Sequence, residues 1–136
     1  MSAGERLVLV VEDSAEDREA IQRALARSHP ELELEFAPDG DAAITRLTDP
    51  GAGRPALLLL DLNLPGRDGY QVLAELRANP DLAALTIIVF TSSTTSADIE
   101  RCYALGADSY VYKPVNFHLF RTVLQGAVDY WQAGTG

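Results

Sequence analysis

The chain has 136 residues, of which 47% are hydrophobic, and its 20 Asp and Glu against 11 Lys and Arg give a formal net charge of −9. This length suits one domain with one core, which we expect over residues 1–136 with the core at about 7–131. The apolar content excludes a disordered chain. The acid excess, without any basic run, argues against a nucleic-acid-binding protein, because neutralising phosphates needs clustered Lys and Arg.

Five short apolar blocks predict five β-strands, and the first, third and fourth are continuously apolar. Continuous apolar strands are typical of a parallel sheet that helices cover on both faces. The second block alternates apolar residues with Glu, which indicates an edge strand with one wet face. The blocks are Leu7 to Val11, Leu32 to Ala37, Ala56 to Leu60, Thr86 to Phe90 and Ser109 to Tyr112.

Segments with helical periodicity follow each block, and four of them open on a capping signal. The predicted helices run from Ser14 to near Pro30, from Asp39 to Pro50, from Asp68 to Asn79, from Thr95 to Gly106, and from about Val115 to Gln132. Residues 132–136 are expected to form a loose tail. Strand and helix thus alternate five times, with connections that require parallel crossovers. The pattern predicts a flavodoxin-like, doubly wound α/β sandwich with strand order 2-1-3-4-5, whose ligand site lies at the carboxyl ends of strands 1 and 3.

Acidic residues follow both of these central strands. Glu12 and Asp13 come directly after the first, and Asp61 comes directly after the third, with Asn63 two residues later. Carboxylates that converge there raise one another's pKa unless a cation is present. Oxygen ligands without His or Cys suit Mg²⁺ or Mn²⁺, so we expect a divalent cation at this edge.

The two remaining strands of this edge add a hydroxyl and an ammonium group. Thr91 ends the fourth strand and Lys113 follows the fifth. A metal site, a donor hydroxyl and a cation are the groups that phosphoryl transfer requires. Asp61 is the natural nucleophile, because a carboxylate can attack phosphorus to give an acyl phosphate.

From about Leu7 to Trp131 the sequence resembles the receiver domains of two-component response regulators. The matching stretches, in order, are Val11-Glu12-Asp13, Leu60-Asp61-Leu62-Asn63-Leu64-Pro65, Asp68-Gly69, Thr91-Ser92, Gly106-Ala107-Asp108 and Tyr110-Val111-Tyr112-Lys113-Pro114. Each stretch is weak alone, but their order and their places at the strand ends make the resemblance specific.

The resemblance implies a role for each residue of the pocket. Asp61 would be the phosphoacceptor, Asp13 a direct Mg²⁺ ligand, Glu12 a ligand through water, and Asn63 a ligand through its backbone carbonyl. Lys113 would pair with the acyl phosphate.

The resemblance also implies a switch. Thr91 would hydrogen-bond a phosphoryl oxygen, and Tyr110 would turn inward as Thr91 moves, remodelling the face made by helix 4, strand 5 and helix 5. Asn63 and Ser93 occupy the positions that adjust hydrolysis of the acyl phosphate. The Lys113–Pro114 peptide bond is expected to be cis, as in the family.

The expected function is that of a cytoplasmic, stand-alone response regulator, which accepts a phosphoryl group from a histidine kinase and signals through changed protein contacts. We expect no enzymatic activity beyond its own phosphorylation and dephosphorylation. An alternative is a phosphorelay intermediate that passes the group to a histidine phosphotransfer protein. Residues 62–82 and the terminal Tyr130-Trp131 are similar, more loosely, to single-domain regulators that partner bacterial phytochromes.

The last helix carries more apolar residues than one sheet-facing stripe needs. One interpretation is a homodimer through helix 4, strand 5 and helix 5, and the other is a wide stripe that covers the sheet edge. The first predicts an interface that includes Phe117, Phe120, Leu124 and Trp131.

Two other functions use a related fold. A dehalogenase-type phosphatase would need a second Asp two residues after Asp61, where this chain has Asn63. A flavodoxin-like electron carrier would need a phosphate-binding loop after strand 1, where this chain is acidic. We assign no chemical role to the remaining candidate ligands, which are His29, Cys102 and His118.

Overall fold

The computed structural model describes residues 6–93 and 95–135. Five parallel strands form one sheet in the order β2-β1-β3-β4-β5, which confirms the predicted flavodoxin-like topology. The strands are β1 (Leu7–Val11), β2 (Glu33–Ala37), β3 (Leu57–Leu60), β4 (Thr86–Thr91) and β5 (Ser109–Tyr112).

Five α-helices connect and follow the strands in the described part of the chain, and a short 3-10 helix (Pro80–Leu82) precedes β4. The α-helices are α1 (Ala15–Ser28), α2 (Gly40–Thr48), α3 (Gly69–Ala78), α4 (Ser96–Ala104) and α5 (Phe117–Thr135). None of the helices among the described residues has the length and apolar character needed to span a bilayer. The predicted loose tail is wrong for residues 132–135, since α5 continues through them, while Gly136 lies outside the described residues.

Side-chain caps fix the start of four helices close to the carboxyl ends of the strands. Ser14, Asp39 and Thr95 each accept a hydrogen bond from the amide three residues later. Asp68 forms a complete capping box with Gln71. Because each cap satisfies an amide that the first helical turn leaves free, these loops have defined paths into the site.

The core consists of two layers, one on each face of the sheet. Alternate residues of β1 and β3 point to opposite faces, so that Leu9 and Leu58 join the cluster under α2, α3 and α4, while Val8 and Leu59 join the cluster under α1 and α5. The three central strands are almost wholly buried, as their apolar sequences predict.

Three of the four predicted interface side chains lie in this core. Phe120, Leu124 and Trp131 are at most 8% exposed and belong to the cluster beneath α1 and α5. Their prediction as interface residues is therefore wrong: their stripe packs against the sheet and α1. Only Phe117 is exposed.

His29 has a structural role at the end of α1. Its buried ring lies 2.7 Å from the Asp129 carboxylate through Nε2 and 2.6 Å from the Ser28 hydroxyl through Nδ1. The contact ties the C-terminus of α1 to α5. The sequence offered no sign of this pair, because 100 residues separate its members.

Candidate functional site

Three carboxylates converge where β1 and β3 end, as the sequence predicts. One oxygen each from Glu12, Asp13 and Asp61 lies within 4.8 Å of the other two. Glu12 and Asp61 are buried, whereas Asp13 is exposed. The pairing of β1 with β3 places Val11 beside Leu60, so the acids that follow are brought together by strand register alone.

The Lys113 ammonium contacts three carboxylates at this edge of the sheet. Its Nζ is 2.7 Å from Glu12 Oε1, 3.0 Å from Asp61 Oδ2 and 2.9 Å from Asp17 Oδ2. Its backbone amide donates to the carbonyl of Thr91 at 2.7 Å, which continues the β4–β5 pairing to the edge of the site. The predicted proximity of Lys113 and Asp61 is confirmed.

Two residues of α1 complete the pocket and were missed by the sequence analysis. Asp17 supplies a fourth carboxylate, and the Arg18 guanidinium donates to the carbonyls of Glu12 at 3.0 Å and Asp13 at 3.1 Å. Ser14 caps α1 directly after β1, so the first turn of the helix lies next to the end of that strand. Asp17 and Arg18 in this turn therefore reach the pocket. Their position one turn into the predicted helix was the only available signal.

The pocket has more negative than positive charge, and its pKa values reflect this. Burial, reinforced by the neighbouring Asp61 and Asp17, raises the pKa of Glu12 to about 9. Burial alone would lower the pKa of Lys113, but its bonds to Glu12 and Asp17 and the charge of Asp61 outweigh it, so the pKa is raised. Burial likewise opposes ionisation of Asp17, but its bonds to Glu12 and Lys113 lower its pKa.

Two buried oxygen atoms in this region have no hydrogen-bond partner among the described residues: Glu12 Oε2 and Thr91 Oγ1. A buried polar atom without a partner is costly, so it commonly marks a place that a ligand or ion completes. The unpaired Glu12 oxygen and the nearby Asp13 and Asp61 fit a hard divalent cation such as Mg²⁺ or Mn²⁺.

The segment after β3 holds Asp61 in place. The amide of Asn63 donates to Asp61 Oδ1 at 3.1 Å, while Lys113 contacts the other carboxylate oxygen. Gly69 packs so closely that an added Cβ would lie 2.6 Å from the Asp61 carbonyl oxygen and 2.5 Å from Leu62 Cα. The glycine therefore allows α3 to start directly against the site.

Tyr110, the predicted switch residue, is partly buried against the core beneath α4. Its hydroxyl donates to the backbone carbonyl of Ser93, in the connection between β4 and α4.

The predicted cis bond between Lys113 and Pro114 is wrong, because the described residues contain no cis peptide bond. An X–Pro bond favours trans by only about 0.5–1 kcal/mol, so a local sequence does not determine which isomer the fold selects.

With this geometry established, comparison with known families defines the class of protein. Residues 8–125 match the model of the response regulator receiver domain. The chain therefore belongs to this family, and the recognition made from the strand-end motifs is confirmed.

Individual regulators align over most of both chains. Rcp1 of Synechocystis sp. is 38% identical over 130 residues, which are 93% of this chain and 88% of Rcp1. The probable methanogenesis regulatory protein FilR2 of Methanothrix harundinacea is 34% identical over 128 residues, which are 92% of this chain and 83% of FilR2.

Two solved structures are similar in fold and sequence. The Mn²⁺-bound form of Rcp1 has a TM-score of 0.86 at 38% identity, covering 93% of this chain and 94% of that one. The phosphorylated cyanobacterial phytochrome response regulator RcpA has a TM-score of 0.88 at 34% identity, covering 96% of each chain. These relatives agree with the subfamily that the sequence analysis suggested.

Proposed function

We propose that Asp61 accepts a phosphoryl group from the phosphohistidine of a sensor kinase, with Mg²⁺ present. The observation that carries this proposal is the placement of Asp61 between an ammonium group and two further carboxylates at one strand edge. One Asp61 oxygen attacks phosphorus, the phosphorus–nitrogen bond of the donor breaks, and an acyl phosphate forms while the histidine imidazole leaves. The proposal includes no catalysis beyond phosphorylation and dephosphorylation of Asp61 itself.

Glu12, Asp13 and Asp61, with the backbone carbonyl of Asn63, would hold the metal. When bound, the cation supplies positive charge that offsets the carboxylates and the incoming phosphoryl oxygens. Support comes from the unpaired Glu12 oxygen and from the chemistry of the donor set. The similar regulator Rcp1 has been solved in a form that binds a divalent cation, Mn²⁺.

Lys113 and Thr91 are the donors for the phosphoryl oxygens. Lys113 already contacts Asp61, so its ammonium needs only a small movement to reach an oxygen of the acyl phosphate. The Thr91 hydroxyl has no partner among the described residues in its buried position and is available for a second oxygen. Tyr110 then changes position when Asp61 is phosphorylated, and this change alters the surface made by α4, β5 and α5. The side chains of Asn63 and Ser93 set how fast water reaches the acyl phosphate.

The proposed donor is a phytochrome-type histidine kinase in the cytoplasm. Two observations support it: the similarity to RcpA, which is named as a phytochrome response regulator, and that to Rcp1 over most of both chains. A matched experiment compares transfer from a phosphorylated bacterial phytochrome kinase with transfer from an unrelated sensor kinase at equal concentrations. Faster labelling by the phytochrome kinase is expected, and equal rates would contradict this choice of partner.

The proposed output contact is a homodimer through α4, β5 and α5. Exposed aromatic side chains lie on these three elements, namely Tyr103, Tyr112, Phe117 and Tyr130. Sedimentation at high micromolar concentration, with and without beryllofluoride as a phosphoryl analogue, tests it. A dimer is expected in at least one condition, and a monomer in both would contradict the dimer.

The phosphorylation itself is tested with acetyl phosphate, which needs no kinase. We expect intact-mass measurement to show one added phosphoryl group in the presence of Mg²⁺ and none with EDTA. The matched control is Asp61→Asn, which keeps the shape of the side chain and removes the nucleophile. An unlabelled native chain, or a labelled Asp61→Asn variant, would contradict the proposal.

A further inference from the structure

The Asp98 carboxylate, in the first turn of α4, accepts hydrogen bonds from hydroxyl groups in two other parts of the molecule. One oxygen accepts from the Tyr70 hydroxyl on α3, and the other accepts from the Ser93 hydroxyl in the β4–α4 connection. The Asp98 amide donates to the Thr95 cap at 3.2 Å, so the carboxylate sits at a fixed helix start. One acidic side chain thus joins α3, α4 and the loop that follows Thr91.

Ser93 makes a second contact, through its backbone. Its carbonyl accepts the hydroxyl of Tyr110, the switch residue on β5. The contacts therefore form a continuous chain from Tyr70 through Asp98 and Ser93 to Tyr110. We call the arrangement in which the Tyr110 hydroxyl contacts the Ser93 carbonyl the inward state.

Asp98 stays ionised within this series of contacts. The bond from Ser93, followed by those from Tyr70 and Thr95, lowers the pKa of Asp98 to about 2, so the carboxylate remains an acceptor throughout the neutral range. The Arg101 guanidinium lies over the Tyr70 ring, 3.9 Å from its centre, and this cation–π contact helps to hold the ring in place.

We propose that Asp98 is a positioning residue for the switch: by holding the Ser93 side chain, it keeps the Ser93 carbonyl where Tyr110 reaches it, so that the inward state is populated before phosphorylation and phosphorylation raises its population further. The proposal rests on the proposed function, in which Tyr110 reports phosphorylation. Ser93 follows Thr91 by two residues. The contact between Asp98 and the Ser93 side chain therefore also sets the path of the loop that must bring Thr91 to the phosphoryl group. By reciprocity, whatever favours the inward state also favours phosphorylation at Asp61.

The first experiment measures the position of Tyr110 directly and needs no phosphoryl donor. The chain is labelled with 3-fluorotyrosine, and Tyr110→Phe assigns its ¹⁹F resonance. Asp98→Asn and Ser93→Ala are each expected to move that resonance toward the value of an exposed tyrosine. The matched control is Glu100→Gln, which removes an exposed acid from the same helix and is expected to leave the resonance unchanged.

The second experiment asks whether Asp98 acts through Ser93. We expect Asp98→Asn and Ser93→Ala each to slow the initial rate of labelling by acetyl phosphate, before hydrolysis contributes, by roughly three- to tenfold, and the double variant to be no slower than the slower single variant. Two groups that act through one contact give this non-additive result, whereas independent structural damage gives effects that multiply.

The two proposals fail in different ways. If the native chain takes no label but the ¹⁹F shifts occur, the phosphorylation proposal fails and the role of Asp98 in holding Tyr110 stands. An unmoved Tyr110 resonance in Asp98→Asn, or multiplied effects in the double variant, would overturn the Asp98 proposal. If Asp98→Asn does not fold, the comparison uses Tyr70→Phe and Ser93→Ala, each of which removes a single hydroxyl, with the same expected and contradicting results.

Discussion

Two charged clusters lie at opposite ends of the sheet, and they differ in how completely their charges and hydrogen bonds are satisfied. At the amino ends of β4 and β5, Arg77 Nη2 is 2.7 Å from Asp108 Oδ2, and its other nitrogens donate to carbonyls that include Gly106 at 2.8 Å and Leu85 at 2.8 Å. Asp108 in turn accepts the Ile87 amide at 2.8 Å. This cluster pairs one cation with one anion.

The pocket at the carboxyl ends has the opposite character. Three carboxylates contact the Lys113 ammonium, Asp13 adds a fourth beside Glu12 and Asp61, and Glu12 Oε2 has no partner among the described residues. The Arg77–Asp108 pair balances its own charges, whereas the carboxyl-end pocket has an excess of negative charge. Such an excess favours binding of an additional cation, and new negative charge is tolerated only when that cation is bound. The difference separates an ion pair that stabilises the fold from a site whose excess negative charge fits the proposed cation and phosphoryl group.

The largest effect is expected when Lys113 is replaced. Lys113→Ala removes the donor nearest Asp61, so labelling by acetyl phosphate should fall by roughly a hundredfold or more. Intact-mass time courses at saturating Mg²⁺ measure the rate. Arg77→Ala is the matched control from the other cluster and should label at the native rate; equal losses in both variants would break the contrast.

Arg77→Ala should instead act on stability. The change removes a partly buried ion pair and several bonds to carbonyls, so the free energy of unfolding should fall by about 2–4 kcal/mol. Urea unfolding measures it. Arg54→Ala, which removes an exposed arginine, should cost far less, and a similar loss in both would show that the amino-end cluster carries no special stability.

Mg²⁺ affinity should rise with pH. The pKa of Glu12 is raised to about 9, so without metal the carboxyl holds its proton at pH 7, and binding a cation beside it releases that proton. The apparent affinity should therefore increase between pH 6.5 and 8.5, by roughly tenfold at most for each pH unit. Calorimetric titration measures it. Glu12→Gln should remove most of the pH dependence of Mg²⁺ affinity. A native affinity that does not change with pH would contradict the prediction.

The smallest effect is expected at Asp17. Its side chain is 35% exposed, so its pair with Lys113 is screened by solvent, and Asp17→Asn should lower the free energy of unfolding by about 0.5–1 kcal/mol. Labelling should change far less than in Lys113→Ala, because Lys113 keeps its contacts with Glu12 and Asp61. A loss of labelling equal to that of Lys113→Ala would place Asp17 among the groups that contact the phosphoryl donor.

The sequence predicted most of the carboxyl-end pocket because its members follow parallel strands directly. Once β1 and β3 pair in register, Glu12 and Asp61 have little freedom to lie elsewhere. Asp17 and the Tyr70–Asp98 contact depend on how helices are turned and packed, and no local pattern records this. The burial of Trp131 was missed for a similar reason: an apolar helix stripe does not reveal whether its partner is the sheet or another protein.

The central claim is that Asp61, and neither of its acidic neighbours, accepts the phosphoryl group. Borohydride reduction of the chain labelled with acetyl phosphate and Mg²⁺ converts an acyl-phosphorylated aspartate to homoserine, which peptide sequencing by mass spectrometry locates. We predict homoserine at position 61, within the tryptic peptide 47–67. Reduction at Glu12 or Asp13, or no reduced residue in a chain shown to carry the label, would contradict it.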